Sequence, residues 1–395
     1  IMTNLDAALH AQQETMAVSP NFNFGFTITD LYHRDGLVRL EQIFVDFLRT
    51  GDETLYKRLE HARAHPDELP PKDDSALLIE IAPWVEDFIA RLFNIENEVQ
   101  QLAAKHHELA PLYFCKRQFV QRKAKGKVSD TELMGIDGLA LEKELAAEFG
   151  EAFSELVFAT KVTQWMESEA ENETRLNKAL HYAAWALRTP AGQRHTQQGI
   201  LFKSPAKLDF QHLLSLHTDD SAGYPVHRLD HLRERNGFAL TDGGTDLMGA
   251  LDEANYCIWC HEQGKDSCSK GMIQKPKAPD EVPTFKKSEL GALLAGCPLE
   301  ERISEFHKLK TQGVAVGSLA MIALDNPMCA GTGHRICNDC MKSCIYQKQE
   351  PVDIPQAETR TLKDVLALPW GFEIYSLLTR WNPLNLRRPV PKPAS

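Results

Sequence analysis

The cysteines of this 395-residue chain are distributed very unevenly. Of the nine, Cys115 is isolated and the other eight lie within residues 257–344. An odd number of thiols cannot all form disulfides, and a crowded set in a chain that we expect to be cytoplasmic favours metal binding over a disulfide framework. Eight is twice the number of thiolates that hold one 4Fe-4S cluster. The sequence therefore predicts two such clusters in the C-terminal third.

The spacing of the cysteines predicts how they divide between the two clusters. Closely spaced cysteines reach three corners of a cluster, and in bacterial two-cluster ferredoxins the cysteine before a proline ligates the other cluster. Pro298 follows Cys297 here. The same logic predicts crossed ligand sets. The first cysteine set comprises Cys257, Cys260, Cys268 and Cys344, and the second cysteine set comprises Cys297, Cys329, Cys337 and Cys340.

Two zinc sites are the alternative interpretation of the same residues. Four-cysteine zinc sites normally use two closely spaced pairs, and the chain offers Cys257 with Cys260 and Cys337 with Cys340. In that case the chain would be a zinc-stabilised helical scaffold that binds a partner protein. The zinc interpretation leaves the other four cysteines unused, so we favour iron-sulfur clusters.

Residues 250–380 resemble the N-terminal helical ferredoxin domain of the glutamate synthase small subunit, which dihydropyrimidine dehydrogenase shares. The similarity lies in Cys297-Pro298, in the run from Cys329 to Cys344, and in the segment from Pro351 to Arg360. Similar segments stand at the front of long FAD-dependent pyridine nucleotide-disulfide oxidoreductases. The resemblance implies an α-helical ferredoxin domain that holds two 4Fe-4S clusters through the crossed sets.

The resemblance also implies electron transfer. Single electrons would pass through the two clusters between a flavoprotein domain or subunit and an electron acceptor protein or subunit. FAD and NAD(P)H are expected on a following domain or partner, because this chain contains neither a G-x-G-x-x-G fingerprint nor a Walker A sequence. We accordingly assign no catalytic residues and no nucleotide-binding residues, and we expect no NAD(P)H oxidation by this polypeptide alone.

Hydrophobic periodicity predicts an all-α fold. Apolar residues recur at helical spacing, as at Leu37, Leu40, Phe44 and Leu48. We expect an all-helical domain of unassigned role over 1–203, an irregular connecting segment over 204–250, the helical ferredoxin domain over 251–380, and a linker or tail over 381–395. Within the ferredoxin domain, short helices are expected at 290–294 and 303–309.

Charge and hydropathy exclude two classes of partner. The formal net charge of −11 argues against nucleic-acid binding, which requires clustered positive charge. No stretch has the 18 or so uncharged apolar residues of a membrane span, and the N-terminus lacks a signal-peptide pattern. We therefore expect a cytoplasmic protein without a membrane span.

Overall fold

Helices account for most of the structure, a computed structural model that describes residues 21–229, 234–276, 282–333 and 336–393. The prediction of a largely helical fold is confirmed. In the described ranges, strands occur only as short antiparallel pairs: β1 (Asn21–Phe22) with β2 (Phe26–Thr27), β3 (Leu216–Asp219) with β4 (Val226–Leu229), and β5 (Ile273–Gln274) with β6 (Thr284–Phe285). No helix of these ranges is both long enough and apolar enough to cross a bilayer.

The N-terminal helices begin and end at residues with clear local signals. Asp52 caps its helix by accepting a hydrogen bond from the backbone N–H of Leu55 at 2.9 Å. Asn94 ends the following long helix in the left-handed conformation, and that helix runs through Pro83 without a break. These helices are α1 (Arg34–Gly51), α2 (Glu53–Ala64), α3 (Pro71–Phe93) and α4 (Glu96–Glu108).

A second group of helices surrounds a core of its own. Its largest fully buried side chains include Phe119, Phe158 and Tyr182, and it also buries Cys115. The first helix continues directly into a π-helical segment, Lys116–Ala124. The group comprises α5 (Ala110–Cys115), α6 (Asp130–Met134), α7 (Gly138–Phe149), α8 (Glu155–Met166), α9 (Glu173–Arg188) and α10 (Pro190–His195).

The helices of the C-terminal third lie before, between and after the cysteines, and three of them contain a cysteine. They are α11 (Leu247–Tyr256), α12 (Ser267–Lys270), α13 (Ile303–Thr311), α14 (Ala315–Asp325), α15 (Cys329–Thr332), α16 (Asp339–Lys342), α17 (Ile354–Leu366) and α18 (Gly371–Leu378). The helix expected at 303–309 is present as α13. The prediction of a helix at 290–294 is wrong. Gly291 adopts a φ of 81° and closes a turn by donating its N–H to the carbonyl oxygen of Ser288, and Leu293 forms an antiparallel bridge with Lys287.

The larger core joins the N-terminal helices to the cysteine region. Phe44 of α1 and Phe88 of α3 both contact Trp381, with ring centroids 5.9 Å and 5.8 Å away. Glu86 of α3 accepts hydrogen bonds from the backbone N–H groups of Val316 and Gly317 at the start of α14, at 2.7 Å and 3.3 Å. These two hydrogen bonds attach α14 to the N-terminal helices.

The predicted domain limits at 203, 250 and 380 stay predictions. The buried residues form two cores whose members do not follow those limits. The larger core combines residues from 22–99 with residues from 257–386, and the second core lies between them in the sequence. Residues 381–386, expected to begin a linker or tail, contribute the fully buried Trp381 and Leu384. Trp381 and Leu384 are isolated apolar residues outside any helical repeat, so the sequence did not predict that they are buried.

Trp381→Phe is expected to lower the free energy of unfolding by about 2 kcal/mol. The change leaves a small cavity and removes the hydrogen bond that the indole N–H donates to Glu41 Oε2 at 2.7 Å. Chemical denaturation measures the effect. Phe372→Leu is the control, because Phe372 is 62% exposed and its loss should change stability by less than about 0.5 kcal/mol. Equal stability of the two variants would contradict the burial of residue 381.

Candidate metal centre

The first cysteine set surrounds a single small cavity. Cys257 follows the last residue of α11, Cys260 begins a 3-10 turn, Cys268 lies in α12 and Cys344 lies after α16. All four are buried, with 5% to 8% exposure. The remaining cavity wall is largely apolar and consists of Ile258, Ile303, His307, Ile345, Tyr346, Val352 and Ile354. The fold therefore brings the four predicted ligands together, while their role as ligands stays a prediction.

The backbone between Cys257 and Cys260 turns sharply. Trp259 has a φ of 52°, an uncommon conformation for a residue with a side chain, and Gly264 follows the turn with a φ of 65°. The backbone N–H of Trp259 points to Cys257 Sγ, 3.4 Å away. This strained turn presents both sulfurs to the cavity and offers one N–H donor to a sulfur.

The electrostatic surroundings keep these thiols protonated in the absence of a metal. Burial raises the pKa of all four, to about 11 for Cys260, and the carboxylate of Asp266 raises the pKa of Cys260 and Cys268 further. Cys268 Sγ donates a hydrogen bond to Asp266 Oδ1 at 3.2 Å. Reactive cysteines need the opposite environment, in which positive charge lowers the pKa. The set is therefore unlike the site of a nucleophilic cysteine.

The second cysteine set lies nearer the surface. Cys329 and Cys340 are buried, Cys297 is half-buried and Cys337 is exposed. Burial raises the pKa of Cys340, and ionised Cys297 and Cys337 raise it further, which places these three sulfurs in electrostatic reach of one another. Glu301 and Glu358 raise the pKa of both Cys329 and Cys340. Cys297, Cys337 and Cys340 therefore lie near one another, and Cys329 shares with Cys340 the proximity of two buried carboxyl groups.

Direct backbone contacts join the two sets. The N–H of Cys297 donates to the carbonyl oxygen of Cys268 at 2.9 Å, and the N–H of Gly296 donates to Ser343 Oγ at 2.9 Å. Gly296 has a φ of 80°, and a Cβ there would lie 2.4 Å from the nitrogen of Gly271. Only glycine permits this approach without a shift of the backbone. The sets consequently belong to one folding unit.

No three His, Cys, Asp or Glu side chains in the described part of the chain are grouped so that they could hold a single metal ion. Four thiolates on one zinc ion, with Zn–S bonds of about 2.3 Å, stand about 3.8 Å apart. A 4Fe-4S cluster spreads its four thiolates over different iron atoms.

Three other cysteine and histidine residues, Cys115, His261 and His334, lie outside the two cysteine sets. Cys115 is fully buried in the second core, and burial raises its pKa to about 12, which is the environment of a core cysteine and not of a reactive thiol. His261, adjacent to Cys260, is buried with Nδ1 2.6 Å from Ser304 Oγ. His334, beside the second set in sequence, lies outside the described residues.

Sequence reasoning missed His307. This histidine is fully buried in α13 and lines the same cavity as the first cysteine set. Ile303, one turn earlier, lines the cavity too. The one relevant feature of the sequence was the spacing of four residues between Ile303 and His307, which places both side chains on one helix face. Nothing in the sequence indicated which helix face the cysteines meet.

A groove of about 880 Å³ lies beside the first cysteine set. Its wall includes Cys257 and the rings of Tyr256 and Tyr346, which stack with their centroids 4.4 Å apart and their planes 3° apart. Lys116, from the basic segment after Cys115, also lines the groove and is paired with Asp252 at 2.6 Å. The protein surface beside Cys257 of the first cysteine set is therefore open at this groove.

Comparisons with known proteins identify helical relatives. A family model described as the RP005 N-terminal alpha-helical domain matches residues 22–94. Uncharacterized protein RP005 of Rickettsia prowazekii is 34% identical over 299 residues, which cover 74% of this chain and 98% of RP005. Uncharacterized protein RP006 of the same organism is 66% identical over 65 residues, which cover 16% of this chain and 9% of RP006. No solved structure matches the chain.

These matches correct the resemblance to the helical ferredoxin domain of glutamate synthase and dihydropyrimidine dehydrogenase, which is wrong. The family model that matches describes the RP005 N-terminal alpha-helical domain, and RP005 is the relative that aligns with most of this chain. Cysteine spacing is a local pattern that the ligation of a metal imposes, so it does not establish common descent. By its similarity to RP005 over almost the whole of that relative, the chain belongs to the RP005 family.

Proposed function

We propose that this chain binds two 4Fe-4S clusters and passes single electrons between a flavoprotein domain or subunit and an electron acceptor protein or subunit. FAD and NAD(P)H belong to that flavoprotein in this proposal. The observation that carries it is the convergence of four cysteines on one apolar cavity. Three of them lie within 257–268 and the fourth is Cys344, so local sequence alone does not bring them together.

The grouping of the cysteines supports iron-sulfur clusters over zinc. The close pair Cys257 and Cys260 meets Cys268 and Cys344 at the cavity, and not the second close pair that a four-cysteine zinc site normally uses. Bound clusters would supply one-electron redox chemistry. The residues of this chain would hold them, exclude water and present backbone N–H donors, as Trp259 does toward Cys257.

The positions of the two sets support electron transfer between partners. The direct hydrogen bond from Cys297 to the carbonyl of Cys268 keeps the sets adjacent, so an electron could pass between their clusters. One end of this path reaches the surface at the exposed Cys337. The other end borders the groove with the stacked tyrosines. A donor and an acceptor could therefore approach from different places.

Metal analysis of anaerobically purified full-length chain tests the proposal. We expect about eight irons and about eight sulfides per chain, with broad absorbance near roughly 400 nm that bleaches on reduction. Cys115→Ala is the matched control and should retain the full iron content, because Cys115 lies in the second core. Colourless protein that carries stoichiometric zinc would contradict the proposal and favour the zinc-stabilised interaction scaffold.

A further inference from the structure

We infer that His307 donates a ring N–H to the metal-bound sulfur of the first cysteine set and thereby raises the reduction potential of the cluster held there. The inference rests on the proposed function. It assigns a role to a residue outside both cysteine sets.

The imidazole of His307 is a buried polar group without a partner. The residue is 0% exposed, and neither Nδ1 nor Nε2 has a hydrogen-bond partner among the described residues. Leaving a buried donor unsatisfied costs free energy of desolvation, so native proteins rarely retain one without a reason. A bound group that accepts a hydrogen bond would remove this cost.

The position of His307 indicates where such a group would lie. His307 and Ile303 stand one turn apart on α13 and line the cavity that the four sulfurs of the first cysteine set surround. The ring also lies against Phe306, with centroids 4.4 Å apart, and Lys310 is the cation that acts on it. Neither of these side chains can accept a hydrogen bond. A group bound in the cavity that the ring lines could supply an acceptor.

The protonation state of His307 is suited to this role. Burial and the nearby Lys310 lower its pKa to about 3, so the ring is neutral and carries one N–H donor. A neutral donor stabilises negative charge on sulfur without adding a net charge to the cavity. Reduction adds an electron, so the hydrogen bond is stronger in the reduced state and the potential rises. The second cysteine set faces the carboxyl groups of Glu301 and Glu358 instead.

The test is a redox titration of the full-length holoprotein followed by electron paramagnetic resonance. His307→Phe keeps a flat ring and removes the N–H donor. We expect unchanged iron and sulfide content, a more negative potential for the first cluster and an unchanged potential for the second. His307→Gln, which restores an N–H donor, is expected to recover a large part of the shift. Ile303→Val is the matched control, because it alters the same cavity wall without changing a donor.

The outcomes separate this inference from the proposed function. An intact cluster with an unchanged potential in His307→Phe would overturn the inference, as would an equal shift in Ile303→Val. Loss of half the iron in both His307→Phe and His307→Gln would identify His307 as a metal ligand, which also overturns it. If only His307→Phe fails to load, His307→Leu and His307→Gln are compared instead, and equal potentials would overturn it. Wild-type protein without iron would refute the proposed function itself.

Discussion

Cys344→Ala is expected to remove about four of about eight irons and to leave the other cluster intact. Cys344 is only four residues beyond Cys340, yet its side chain lines the cavity with Cys257, Cys260 and Cys268. Loss of this thiolate therefore opens the first cluster and not the one nearest in sequence. Iron analysis and electron paramagnetic resonance of the reduced variant measure the result.

Variants of the second set provide the comparison. Cys329→Ala and Cys337→Ala should abolish the signal that survives in Cys344→Ala, because those cysteines face the other region. If all three variants lost the same signal, Cys344 would serve its sequence neighbours and the crossed assignment would be wrong. Because metal binding contributes folding free energy, hydrogen exchange should also increase more within 250–360 than in the second core.

Asp364→Ala is expected to lower the free energy of unfolding by about 3–5 kcal/mol. Lys310 of α13 and Asp364 of α17 form an ion pair at 3.1 Å, and each side chain is 1% exposed. Burial lowers the pKa of Lys310, which reflects the cost of holding its charge away from water. Removal of the carboxylate leaves that ammonium group buried without this partner. Chemical denaturation measures the loss.

Two controls define the origin of this effect. Glu53→Ala breaks an exposed ion pair with Lys57 and should lower the free energy of unfolding far less than Asp364→Ala does. The double variant Lys310→Met with Asp364→Leu removes both buried charges and should be more stable than Asp364→Ala alone. A small effect of Asp364→Ala would show that the pair is not buried in solution. Since α13 also carries His307, the ion pair helps to fix the helix that lines the cavity.

Much of the local structure followed from the sequence. The apolar repeat through Leu37, Leu40, Phe44 and Leu48 predicted α1, and all four side chains are buried. The spacing at 303–309 likewise predicted α13. These features depend on the helical period of the chain, which neighbouring residues express directly. The helix expected at 290–294 failed because a glycine turn outweighed a few apolar residues.

Long-range packing was decided only by the tertiary structure. The contact of Trp381 with Phe44 and Phe88 joins residues more than 290 positions apart. No repeat of apolar residues in the sequence predicts this contact. The placement of His307 against the cysteine-lined cavity likewise depends on how α13 packs.

The cysteines illustrate both levels. Their number and spacing by themselves predicted two groups of four cysteines, because a ligand must be a residue of suitable chemistry within reach of its neighbours. The family was not determined in this way, since the ferredoxin resemblance rested on spacing and the chain belongs to the RP005 family. Which face of α13 meets the first cysteine set, and which buried polar group points there, was decided by packing. Packing depends on the complementarity of side chains that are distant in sequence, and no local pattern encodes it.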